Sequence, residues 1–426
     1  MRHKYFLSAF ALALSPCLLL DLSCTRVPRE GISPPQQLYP VALQGKWGYM
    51  DSTGAVRIRP SFDEADSFVE ERARVSVDKR LGFIDLKGDF VVTPQFDAAI
   101  NFREGLARVQ IGDKWGFINR AGKVVIQPIF YDSGALVSAD AGSFYDGLAR
   151  MSVGTDRTRA KWGFIDRTGK FVINPIYDGA WFFDHGIAAV EVAGKWGFIN
   201  KKGSWVAAPQ FDDSYTPAFF SDGLAAVRVK DKYGYVDKTG HLAITPQFRR
   251  ANKFQDGFAT AAIGTDCSAE KSEHGDQIQN DTFDCRWGVI DKSGTFLVQP
   301  KYTDAHAFAD GLAAVAIGSF CSAFKVKNLQ EMETENSMRD CKYGYIDSSG
   351  RMVISPQFDH AGEFRNGSAG VMVAGAFGLI DKSGHYLLNP VYDGVLPFDG
   401  ELSIVLEDKQ IRYFDRHGHF VQPHLD

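Results

Sequence analysis

Three residue sets in this chain have types and spacings that could do chemistry. Four cysteines stand at matching places in two successive stretches. Ile263-Gly264-Thr265-Asp266-Cys267-Ser268-Ala269 returns as Ile317-Gly318-Ser319-Phe320-Cys321-Ser322-Ala323, and Cys285-Arg286-Trp287-Gly288 returns as Cys341-Lys342-Tyr343-Gly344. Such a set can close disulfides or ligate one zinc ion. An aspartate series, Asp63, Asp97, Asp132, Asp178, Asp212, Asp359 and Asp393, suggests calcium or acid catalysis at first glance. His417, His419 and His424 gather near the C-terminus, where histidines could touch a metal.

Each set has a plainer explanation. Pairing Cys267 with Cys285 and Cys321 with Cys341 places a bridge at the base of each of two loops, with 17 and 19 intervening residues. Each closure would contribute about 3 kcal/mol by chain-entropy reasoning. Zinc is the rival, although the usual close cysteine pairs are missing. The aspartates recur in nearly every repeat, interrupted by Arg249. A residue needed once for chemistry has no reason to recur, so a turn-capping role is expected. Calcium loops also gather several oxygen donors, where this segment offers one. Two of the histidines straddle a turn glycine, and no metal site is expected there. The chain has no phosphate-binding loop, no His-Glu-x-x-His and no nucleophile elbow. Its acids could supply a glycosidase pair, but nothing sets two of them apart. The expectation is a protein that is not an enzyme and holds no cofactor.

The elements that position these residues belong to a repeat. Ten times the chain returns to a basic residue, an aromatic, Gly, an apolar pair and Asp or Asn, as in Lys161-Trp162-Gly163-Phe164-Ile165-Asp166. The phrase glycines are Gly48, Gly82, Gly116, Gly163, Gly197, Gly234, Gly288, Gly344 and Gly378, with Arg412 in the tenth copy. Such periodicity specifies a stack of small units rather than one domain around one pocket. In a plain copy, Leu106 to Ile111, Lys114 to Asn119 and Lys123 to Gln127 read as three strands joined by tight turns. The predicted fold is all-β: about ten three-stranded antiparallel β-meanders in a propeller-like or superhelical stack. The phase shows ten complete meanders and no strand shared between the ends. Arg412 then reflects an outer face with no following unit.

Within the unit, Asp or Asn opens the second turn and Gly closes it three residues later, from Asp51 and Gly54 to Asp415 and Gly418. The third strand ends at proline, followed two residues on by Phe or Tyr, as in Pro94-Gln95-Phe96. The phrase aromatic, replaced by Leu81 and Phe377 in two copies, reads as packing. Its glycine reads as a close approach to the next unit. The preceding cation could lie over a neighbouring ring or guard a strand edge.

The first 36 residues differ from the rest. Arg2 and Lys4, an apolar run from Tyr5 to Leu20 and small residues after it have the layout of a secretory signal. Cys24 resembles the lipid-modified cysteine of a bacterial lipoprotein, although Asp21 stands where an aliphatic residue is usual. The expected organisation is a signal at 1–24, a tether at 25–37 and the repeat domain at 38–426. Export fits disulfides. A net charge of -5 gives no general grip on nucleic acid or an anionic membrane. Any membrane link would run through the N-terminal lipid or anchor.

The phrase, the turn, the Pro-x-Phe-Asp step and the Gly147-Leu148-Ala149 strand start together resemble the bacterial WG repeat family, including its KWG variants. The resemblance covers Leu38 to the C-terminus. It implies an exported or surface-associated β protein with an interaction role, and it supplies no active site. Insertions fall in the first turn after Val153, Ile263 and Ile317, and in repeat proteins such loops often carry the binding face. Candidate binding residues are Glu270, Glu273, Asp276, Asp281 and Asp284 in the first cysteine-flanked loop, and Lys325 and Lys327 in the second. The acidic loop suits a basic partner patch. The expected function is an exported, lipid-anchored scaffold binding a protein or glycan at the cell envelope. A passive envelope component and a carbohydrate-active hydrolase are the alternatives.

Overall fold

The computed structural model describes residues 37–131, 142–154, 160–212, 219–265, 284–318, 341–408 and 410–425. The signal, nearly all of the tether, and Cys24 lie outside them. The described residues form ten antiparallel sheets of three or four strands and no helix. They fall into two compact lobes, one of Met1–Trp205 with Val421–Asp426 and one of Val206–Phe420.

The third repeat shows how local sequence builds a sheet. Leu106–Ile111, Lys114–Asn119 and Val124–Tyr131 form the expected meander, with Leu106 opposite Asn119 and Ile111 opposite Lys114. The connector departs from expectation. Its Ala98–Ala99 adds a two-residue strand against Gln110 and Val109. Seven sheets carry such a fourth strand, which corrects the three-stranded unit to the order connector, first, second, third. Two residues are too few to show an alternating pattern, so periodicity could not reveal this strand.

The second turn is built as its residues specify. Asp166 Oδ1 accepts from Thr168 N at 2.8 Å and Thr168 Oγ1 at 2.6 Å, while Gly169 N donates to Asp166 O at 3.0 Å. Gly169 has φ 84°, in the left-handed region that glycine adopts without penalty. A Cβ there would also lie 2.8 Å from Ile126 of the preceding repeat, so turn and neighbour pack tightly.

The phrase glycine serves its own sheet. A Cβ on Gly163 would lie 2.5 Å from Ile173 O and 2.7 Å from Pro175 N. The pairing register of the second and third strands shifts here, between Trp162 and Phe164. The expectation of packing against the next unit is corrected to a bulge against the third strand of the same unit. Arg412 follows from the same geometry. The tenth sheet contains Gly394–Val395, Ser403–Glu407 and Gln410–Phe414 and has no third strand beyond the single bridge of Phe414 to Phe420. No facing backbone excludes a side chain, and Arg412 Nε reaches Glu407 at 2.8 Å. The missing partner is therefore its own third strand rather than a following unit.

The first and last segments of the chain meet within the N-terminal lobe. Val56 N donates to His424 O and His424 N to Gly54 O, each at 2.9 Å. This corrects the reading of ten complete meanders with unconnected ends.

Packing follows the repeat. The phrase aromatic stands opposite the aromatic after proline: Trp162 opposite Tyr177, Trp47 opposite Phe62 and Tyr233 opposite Phe248. Trp47, Trp115 and Trp162 are buried, whereas Trp196 and Trp287 are half-buried. Trp162, Phe164 and Tyr177 of the fourth repeat share a core with Phe183, Val190 and Ile199 of the fifth. The Phe164 and Phe183 rings meet edge-on at 4.7 Å. Each fully buried ring or aliphatic side chain contributes about 1.5–3 kcal/mol, so stability rests on coupling between neighbours.

Candidate interaction surfaces

The connector aspartate works in two directions. Asp63 Oδ1 takes Lys46 Nζ of the preceding repeat at 2.6 Å, and its Oδ2 accepts Asp78 N of its own first turn at 2.8 Å. Asp97 takes Arg80 and Gly112 N, Asp178 takes Lys161 and Ala193 N, and Asp359 takes Lys342 and Ala374 N. The turn-capping role stands. The cation is in these four repeats neither laid over a ring nor left as a loose edge charge, because the aspartate 17 residues later holds it. The Lys46 and Lys161 hydrogen bonds hold Asp63 and Asp178 below the ordinary carboxylate value. Asp132 lies outside the described residues.

A second carboxylate series was missed by sequence reasoning. It occupies the residue before the glycine that starts the first strand. In the N-terminal lobe, Glu70 accepts Gly105 N at 2.8 Å and pairs with Arg120 at 3.0 Å. Glu104 does the same with Gly147 N and Arg167, and Asp146 with Gly186 N and Lys201. In the C-terminal lobe, Asp222 accepts Gly257 N, and Asp310 accepts Gly367 N. Each carboxylate ties one repeat to the next. The signal was present, since Glu104-Gly105 and Asp146-Gly147 share the motif and Arg120, Arg167 and Lys201 follow the phrase.

Of the candidate binding residues, Asp284 alone is described. Its carboxylate accepts Thr265 N at 2.8 and 2.9 Å and Thr265 Oγ1 at 2.8 Å. That contact draws together the two ends of the inserted segment. Glu270, Glu273, Asp276, Asp281, Lys325 and Lys327 lie outside the described residues, as do Cys267 and Cys321. Cys285 and Cys341 are buried immediately before their phrase strands. Ile263 pairs with Arg286 and Ile317 with Lys342, so both insertions leave from one register position in the seventh and eighth repeats.

The histidines serve the last turn and the chain end. His417 N and His419 N donate to Asp415 Oδ1 at 2.8 and 2.9 Å. His424 is held through its backbone by Gly54 and Val56. Among the described residues no three His, Cys, Asp or Glu side chains form a group that could hold a metal ion.

These sheets, turns and ties define an all-β repeat protein of propeller-like units. The WG containing repeat matches at residues 47–80, 82–115, 115–154, 162–196, 196–233, 233–264, 287–319, 343–375 and 377–410. The chain belongs to this family. A search of curated proteins gives no match. Among solved structures, the computationally designed Ika8 protein is similar at 13% identity and TM-score 0.37, over 89% of this chain and 100% of that one. A eukaryotic initiation factor is similar at 11% identity and TM-score 0.46, over 83% and 95%. The WD40 β-propeller domain of Doa1 is similar at 11% identity and TM-score 0.24, over 53% and 89%. We take nothing further from likenesses this distant.

Proposed function

We propose that this protein is exported, anchored by lipid at Cys24, and binds a protein or glycan partner at the cell envelope without a catalytic step. The observation that carries this reading is the common origin of the two long insertions. Both leave the first strand at the same register position in consecutive repeats. We further propose bridges from Cys267 to Cys285 and from Cys321 to Cys341. The burial of Cys285 and Cys341 and the clasp of Asp284 on Thr265 support them. A stapled loop loses less freedom on binding. Glu270, Glu273, Asp276 and Asp281 make the first loop complementary to a basic patch. The absence of chemistry is supported by the use of recurring aspartates as clips and caps.

The test replaces both loops with the two-residue Gly112-Asp113 turn. The shortened protein should keep its thermal unfolding transition and lose the partners that the full chain recovers from crosslinked envelopes. Recovery of the same partners by the shortened, folded protein would overturn the proposal. A Cys24→Ser variant should leave the membrane fraction, and continued membrane retention would refute the lipid anchor.

A further inference from the structure

Two arginines of the N-terminal lobe flank one tyrosine without a carboxylate to neutralise either. Arg103 stands over the Tyr145 ring with Cζ 3.9 Å from its centroid. Phe182 stacks on the same ring at 4.0 Å and 18°, which assigns it the opposite face. Arg150, 9% exposed, donates Nη1 to Ala180 O at 2.6 Å. Its Cζ lies 5.4 and 5.3 Å from the Trp162 and Trp181 ring centroids. The Tyr145 phenol lies near enough to act on its charge, and burial pulls Arg150 down to about 10.

Other arginines of this lobe are neutralised. Arg74, at the same first-strand position in the second repeat, pairs with Asp66 at 2.9 Å. Arg120 and Arg167 pair with Glu70 and Glu104. Arg103 and Arg150 have no carboxylate partner among the described residues. Burying an uncompensated cation is costly, and rings with one carbonyl offset that cost only in part. The ninth, eighth or tenth repeats give no precedent for the arrangement, since Ala314, Gly370 and Ile404 stand where Arg150 does.

We propose that Arg150 and Arg103 bind the oxyanion of a carboxylate- or phosphate-bearing ligand beside Tyr145, with Trp181 as an aromatic wall. A guanidinium presents paired donors that match the two oxygens of such a group. Arg103 and Trp181 are half-buried, so the site has a solvent-facing side. The proposal is independent of the loop reading, because its residues belong to the third, fourth and fifth repeats.

The test titrates glucuronate and inorganic phosphate into the full chain at constant ionic strength, with chloride and glucose as controls. Thermal midpoint and tryptophan fluorescence are followed. The wild-type protein should respond saturably to an oxyanion and not to either control. A response to glucuronate alone identifies an acidic sugar, and a response to phosphate identifies a phosphate group. Arg150→Met should fold and lose the response. Should it not fold, Arg150→Lys keeps the charge without the fork and should weaken binding at least tenfold, about 1.4 kcal/mol. No saturable response, or one unchanged in the Arg150 variants, would overturn the proposal.

Discussion

Arg249 Nη1 donates to Asp231 Oδ2 at 2.6 Å, and Arg249 Nη2 donates to Thr265 O at 2.7 Å. This is the clip of Asp178 with both polarities exchanged. Where Asp178 takes a lysine and a turn N–H, Arg249 takes an aspartate and a turn carbonyl. The residue that breaks the sequence series is a compensated inversion.

Arg249→Asp therefore sets two acids against each other. It should destabilise the protein by about 0.5–1 kcal/mol, the scale of an exposed pair. Adding Asp231→Lys should restore most of that loss. Urea unfolding midpoints read both, and purely additive losses in the double variant would contradict the clip.

Gly163→Ala forces a Cβ against Ile173 O and should cost about 1–3 kcal/mol through overpacking. Arg412→Gly, where no third strand faces the phrase, should change stability by no more than about 0.5 kcal/mol. Similar losses in thermal unfolding at both positions would show that the glycine is not set by its third strand.

Most of the repeat was legible because its signals are local. Asp166 and Gly169 are three residues apart, and the turn they specify is the turn that forms. Ala98–Ala99 was hidden by its length. The reason for Gly163 was hidden because sequence does not give the distance between second and third strands. Glu70 and Arg120 were each visible, but their pairing spans 50 residues and needs the stacking of neighbours. The docking of His424 on Gly54 likewise joins segments that no local pattern connects. Of the candidate binding residues, Asp284 proves to clasp Thr265, a use that its place in an acidic run did not indicate.

Acid should loosen the array. The lysine hydrogen bonds on Asp63 and Asp178 lower those groups from 3.8, and hydroxyl hydrogen bonds lower Asp166, Asp237, Asp291 and Asp347. A lowered carboxylate gives stability that is complete above its unfolded value and is lost as pH falls through the folded one. Asp66 acts oppositely: burial raises it despite Arg74 and Asn101, so its penalty disappears as it protonates. Six groups outweigh one, and the thermal midpoint should fall below about pH 4. In Asp178→Asn that fall should be shallower. An unchanged slope would remove the clip from the acid response.

Peptide mapping under non-reducing conditions should find Cys267 joined to Cys285 and Cys321 joined to Cys341. Free thiols or crossed pairs would refute the proposed staples. Reduction should leave the sheet amides protected from exchange, because each bridge closes one loop and joins no two repeats.

The claim that these loops carry the partner is tested most directly by residue-resolved crosslinking in intact cells. The predicted result is that Lys271, Lys325 and Lys327 of the two loops crosslink to one recurring partner. If the same partner is instead joined through Lys123, Lys170 and Lys202 at the second turns, with the loop lysines silent, the binding surface has been misassigned.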